Sequence, residues 1–87
     1  MEFESDPAKA ASNVVKHGIS FEEAQEAFGD PNRLEFYRPR GGEDRYVMIG
    51  ASPNNLLVVV YTERGKKIRI ISARRATKDE KATYRRR

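Results

Sequence analysis

Leu56-Leu57-Val58-Val59-Val60-Tyr61-Thr62-Glu63-Arg64-Gly65-Lys66-Lys67-Ile68-Arg69-Ile70-Ile71-Ser72-Ala73-Arg74-Arg75 is the stretch that decides the fold of this 87-residue chain. It opens on an unbroken apolar run rich in β-branched residues. The run is too short to cross a membrane as a helix and suits a central strand buried on both faces. Glu63-Arg64-Gly65-Lys66 follows, with a glycine that accepts the positive φ of a hairpin turn. The return segment alternates charge with hydrophobe through Lys67, Ile68, Arg69 and Ile70, so one face of the same sheet carries cations.

Around this hairpin there is room for one small domain with a single modest core, and no cofactor is expected. The absence of cysteine excludes a disulfide framework and a thiolate metal site, and a lone histidine, His17, argues against zinc. No apolar run of membrane-spanning length and no signal peptide is present, so the expectation is a soluble cytoplasmic protein that does not engage membranes. The net charge of +4 conceals an asymmetry. Residues 1–62 carry 6 Lys+Arg against 10 Asp+Glu, whereas residues 63–87 carry 11 against 3. A cationic segment on a small domain points to a polyanion such as RNA or DNA, or to an acidic protein; the plainer reading is a solvated face with a basic tail.

The remaining chain supplies elements on either side. Glu2-Phe3-Glu4-Ser5 reads as a short strand at a sheet edge. Asp6-Pro7 then opens a helix over residues 6–17, with Asp6 as N-cap, proline in the first turn and Gly18 as the left-handed stop. Its expected buried stripe is Ala10, Ala11, Val14 and Val15, with Ile19 packed back on Val14. Ser20-Phe21-Glu22-Glu23 fits a reciprocal capping box for a second helix over residues 20–28, with Phe21, Ala24 and Phe28 on one face. The period then changes to two at residues 33–37 and again at 45–50, and the short links between these segments favour an antiparallel meander. Thr77-Lys78-Asp79-Glu80 is another capping box. It opens a poorly amphipathic helix with Ala82 and Tyr84 as its main apolar contacts, ending in Arg85, Arg86 and Arg87. The expected architecture is a two-layer α+β domain of order β-α-α-β-β-β-β-α, with the first two helices on one sheet face and Arg69 with neighbouring cations on the other.

No phosphate-binding glycine loop, metal-ligand cluster or nucleophile–histidine arrangement stands out. A basic sheet face with a tyrosine and a few carboxylates suits one kind of metal-free chemistry, attack of an RNA 2′-hydroxyl on its own phosphate. That reaction needs a base, cations for the crowded phosphorane, and an acid for the leaving oxygen. Arginine meets the second need with a planar fork that holds two phosphate oxygens. Arg69 is either such a contact or an ordinary surface arginine. Arg74 has the opposite parity, so a regular strand cannot present both on one face. Either the strand ends or bulges near Ser72, or one arginine is structural. Glu63 and Arg64 are candidates that also allow a weak mutual salt bridge. Lys66, Lys67 and Arg75 supply general electrostatics. Histidine ordinarily titrates near neutrality, which makes His17 an acid–base candidate, although a helix C-terminus equally suits a capping histidine; Lys16 beside it shares both readings. Tyr84 either stacks on a base or donates a proton, or it anchors the last helix.

Asp6-Pro7-Ala8-Lys9, Asn13, Lys16-His17-Gly18, Phe21, Ala24, Phe28 and Asp30 resemble the first half of BrnT-family toxins. Arg45, Gly50, the apolar strand, Thr62-Glu63-Arg64 and Arg69-Ile70-Ile71-Ser72-Ala73-Arg74 resemble the second. The resemblance covers residues 2–75 in order and spacing. One departure is Ser5, which stands where the family usually has tryptophan before the Asp-Pro pair. The resemblance implies a RelE-like fold and a ribonuclease that blocks translation. It also implies a BrnA-type antitoxin, through which alone operator DNA is reached, and it leaves a homodimer or a heterotetramer with that antitoxin open. On this reading Arg64, Arg69 and Arg74 hold phosphate and one of Glu63, His17 or Tyr84 moves protons, while Lys16, Lys66, Lys67 and Arg75 bind RNA, with no metal. The other reading is a non-catalytic basic module that receives an acidic antitoxin segment or operator DNA.

Overall fold

The computed structural model describes residues 1–86. Its order is β1 (Glu2–Glu4), α1 (Pro7–His17), α2 (Phe21–Ala27), β2 (Leu34–Tyr37), β3 (Tyr46–Ala51), β4 (Leu56–Arg64), β5 (Lys67–Arg75) and α3 (Lys78–Arg86). This is the expected α+β architecture in the expected order. Arg87, assigned above to the end of the last helix, lies outside the described residues. The strands form one sheet in the order β1-β5-β4-β3-β2. β2 to β5 are an antiparallel meander, and β4 turns into β5 at Gly65, whose φ of 62° only glycine adopts without strain. β1 runs parallel to β5, with Glu2 opposite Lys67 and Glu4 opposite Arg69.

Local sequence explains the helix ends. The Asp6 carboxylate accepts the Ala8 N–H at 2.9 Å, Pro7 opens α1, and Gly18, at φ 70°, closes it with its N–H on Val14 O at 2.8 Å. Ser20 Oγ accepts the Glu23 N–H at 3.0 Å. The expected reciprocal half of this box is replaced: the Glu23 carboxylate instead accepts Asn55 Nδ2 at 2.7 Å and Ser52 Oγ at 2.6 Å, which together hold it below the usual carboxylate range. At α3 the box is complete, with Thr77 N–H on Glu80 Oε1 at 2.8 Å and Glu80 N–H on Thr77 Oγ1 at 3.2 Å.

The main core lies between α2 and the sheet, where Ile19, Phe21, Ala24 and Phe28 meet Met48, Leu57, Val59 and Ile70. A smaller cluster of Ile49, Val58 and Ala76, with Phe36, Leu56 and Tyr84 against it, lies on the other face beneath α3. The expected stripe on α1 is corrected. Ala11 is exposed, Val14 is 49% and Val15 86% exposed, and only Ala10 is half-buried; Ile19 sits in the main core and not on a buried Val14. The buried residue of α1 is Asn13. Its Nδ2 donates to Ile19 O and Ala73 O, both at 2.8 Å, and its Oδ1 accepts the Ala73 N–H at 3.1 Å. α1 therefore runs along the edge of β5 that β1 leaves open. What that edge needs is partners for its backbone groups, which a carboxamide provides and a valine cannot. Ser5 is exposed, so the missing aromatic leaves no hole in the core.

Candidate functional site

The pairing of β4 with β5 is regular from Arg64↔Lys67 to Tyr61↔Ile70, then resumes as Val60↔Ser72, Val59↔Ala73 and Val58↔Arg74. Ile71 is the extra residue of a β-bulge. Arg69 and Arg74, five positions apart, would point to opposite faces of a regular strand; the insertion puts both on the same face. Arg69 lies opposite Thr62, Ser72 opposite Val60 and Arg74 opposite Val58, all on the face away from α2, with Arg64 and Lys67 continuing the row. Of the alternatives that parity left open, the bulge is the one adopted.

Two of these arginines already hold carboxylates. Arg69 Nη1 donates to Glu4 Oε2 at 2.6 Å, through the β1 neighbour that the parallel register puts beside it. Arg74 grips Glu80 with both terminal nitrogens, at 2.7 and 2.8 Å. That fork holds the Glu80 carboxyl down at about 2, with the Thr77 N–H assisting, and the same bond raises Arg74. At the turn, Arg64 stands directly across from Lys67, an arrangement of like charges that costs stability unless an anion joins them. Arg64, Lys66 and Lys67 are exposed and form no salt bridge among the described residues. The suggested Glu63–Arg64 pair is not formed, because neighbours on a strand point to opposite faces.

The other expected site residues lie in three places. His17 and Lys16 line a cleft of about 230 Å³ with Lys9, Ser12, Ile71 and Ser72. Helix capping at this end falls to the Gly18 N–H, and the His17 carbonyl accepts Arg75 Nη1 at 3.1 Å. Arg75 points to the α2 side and also reaches Asn55 Oδ1 at 3.3 Å, so it stitches α1 to the β3–β4 turn. Tyr84 is packed into the small cluster under α3, and its hydroxyl donates to Asp30 Oδ2 at 2.6 Å. The structure thus brings Arg64, Lys67, Arg69 and Arg74 onto one face, with His17 and Lys16 around the edge of β5. Glu63 and Arg75 are directed to the other side, and Tyr84 is held beneath α3. Glu4, Glu80, Ser72, Lys9 and Ser12 are not among the site residues expected from the sequence, where Glu80 figures only as a helix cap. Their signals were available only as spacing: a capping glutamate three residues after Thr77, and a lysine seven residues before Lys16.

Among the described residues no three His, Cys, Asp or Glu side chains gather into a metal-binding group, and no helix is long and apolar enough to cross a membrane. No curated protein matches the chain significantly. The family model described as "Ribonuclease toxin, BrnT, of type II toxin-antitoxin system" matches residues 6–80, a span that holds α1, α2, the whole meander and the Arg74–Glu80 pair. The chain belongs to the BrnT family of ribonuclease toxins of type II toxin–antitoxin systems.

Proposed function

We propose that this toxin cuts RNA without a metal ion, at the arginine-bearing face of β5, and blocks translation by doing so. The observation that carries the proposal is the bulge at Ile71, which sets Arg69, Ser72 and Arg74 on one face. In this scheme the RNA 2′-oxygen bonds to the adjacent phosphorus and the bond to the 5′-oxygen breaks, leaving a 2′,3′-cyclic phosphate and a free 5′-hydroxyl. Arg69 and Arg74 neutralise the charge gathering on the phosphorane oxygens. Arg69 is the stronger contributor, since one nitrogen serves Glu4 and the rest of its five-donor fork remains for phosphate, whereas both terminal nitrogens of Arg74 are on Glu80. Proton transfer falls to His17, which lines the same cleft as Ser72 and takes the 2′-hydroxyl proton; solvent protonates the leaving oxygen. Tyr84 is engaged with Asp30, and Glu63 belongs to the opposite face from the arginines. A BrnA-type antitoxin would neutralise the toxin by covering this face, and operator DNA would be reached through the antitoxin.

The test is cleavage of total RNA by purified protein in EDTA, beside Arg69→Ala. Cleavage by the wild type that is lost in a folded variant supports the proposal. Equal cleavage by both moves the phosphate site elsewhere. The existing carboxylate partners of Arg69 and Arg74 favour one competing reading, a face built to receive acidic protein segments. That reading gains if neither form cuts RNA in EDTA.

A further inference from the structure

We infer that the cleft between α1 and β5 holds a second phosphate of single-stranded RNA, next to the one that is cut; the inference rests on the ribonuclease reading above. Lys9, Ser12 and Lys16 occupy positions i, i+3 and i+7 of α1 and form one rail along the cleft, with His17 at its end. α1 contains no acidic residue, and neither lysine forms a salt bridge among the described residues. This contrasts with Arg69 and Arg74 on the sheet face, each of which holds a glutamate. The opposite wall is the bulge, Ile71 and Ser72. At about 230 Å³ the cleft is below the roughly 300–1,000 Å³ of pockets that enclose drug-sized ligands, and a phosphodiester link fits within it.

The lining selects RNA over an acidic peptide. A peptide adding to the open edge of β5 would need free backbone groups, but Asn13 occupies both the N–H and the carbonyl of Ala73. What remains is cations and hydroxyls with Ile71 as the one strongly apolar wall, a lining suited to a sugar-phosphate backbone. Ser72 belongs to both places, lining the cleft and sharing a face with Arg69 and Arg74. An RNA strand bound at the arginines therefore crosses the sheet edge at the bulge and lays its neighbouring phosphate between Lys9 and Lys16.

A short single-stranded 2′-O-methyl RNA, which cannot attack its own phosphate, tests this without turnover. Binding is followed by anisotropy across a salt series, and by the proton NMR signal of His17, the chain's only histidine. In the wild type the His17 signal should move as the probe saturates. In Lys9→Ala/Lys16→Ala, with its melting unchanged, affinity should fall and the slope of log K against log salt should shrink by about 0.7, the value for the one single-strand phosphate contact removed. Wild-type affinity and slope in the double variant, or an unmoved His17 signal at saturation, overturns the inference. So does a His17 signal moved by polyglutamate and not by the RNA. If the wild type cuts unmodified RNA while the double variant binds the probe normally, only the cleft fails. If the probe enters the cleft of a protein that cuts nothing, only the ribonuclease reading fails.

Discussion

The two faces of the sheet are built from alternate residues of the same strands, yet they are used differently. On the α2 side β4 contributes Leu57, Val59 and Tyr61 to a continuous apolar core. On the other side it contributes Val58 to a small cluster under α3, while Thr62 and Arg64 stand beside Arg69 and Lys67. The first face stabilises the domain by removing apolar area from water. The second is held by α3 through a tyrosine and an ion pair, and keeps a row of cations that contributes little to stability. What separates the two is the pleat of β4 and a single inserted residue on β5.

Substitutions should therefore have opposite signatures on the two faces. Leu57→Ala, at a fully buried position of the first face, should cost about 2–5 kcal/mol in urea denaturation. A loss below 1 kcal/mol would mean that this core is not the main source of stability. Arg69→Ala on the second face should change stability by about 0–1 kcal/mol, since its Glu4 pair is partly exposed. RNA cleavage should nevertheless fall by roughly 10²–10³, the usual cost of removing one group that stabilises transition-state charge.

Smaller effects sharpen the role of α3. Tyr84→Phe removes the hydroxyl that donates to Asp30 and should cost about 0.5–1.5 kcal/mol in thermal or urea unfolding, with cleavage kept within a few fold. A large loss of cleavage at unchanged stability would instead return Tyr84 to the chemistry. A further test is pH. The folded-state Glu80 carboxyl is held at about 2, below its ordinary 4.5, so its contribution is complete above about pH 4.5 and is lost as pH falls towards 2. Glu80→Gln should flatten that part of the stability–pH curve. An unchanged slope would show that the Arg74–Glu80 pair does not hold α3.

Much of this fold is legible in the sequence because it is local. The hairpin with its Gly65 turn, the Asp6 and Thr77 caps and the Gly18 stop each depend on residues within a few positions of one another. What is not legible depends on distant partners. Val14 and Val15 look like a buried stripe, but the open edge of β5 called for hydrogen bonds and drew in Asn13, 60 residues away from Ala73. The parallel register of β1 has the same character, and with it the Glu4–Arg69 pair. The site lies between these cases. Parity showed that Arg69 and Arg74 need an irregularity to share a face, but not which one occurs, because a bulge is set by the partner strand as much as by its own residues.

The most direct test of the central claim, that the bulge at Ile71 lets Arg69 and Arg74 act on one phosphate, is a double-mutant cycle on RNA cleavage in EDTA. Wild type, Arg69→Ala, Arg74→Ala and the double variant would be compared after each is shown to be folded. Two arginines on one phosphate should be coupled, so the double variant should lose clearly less than the product of the single losses, with an interaction energy of about 0.5–3 kcal/mol. Single losses that simply multiply, or a folded Arg69→Ala that cuts like the wild type, would contradict the account.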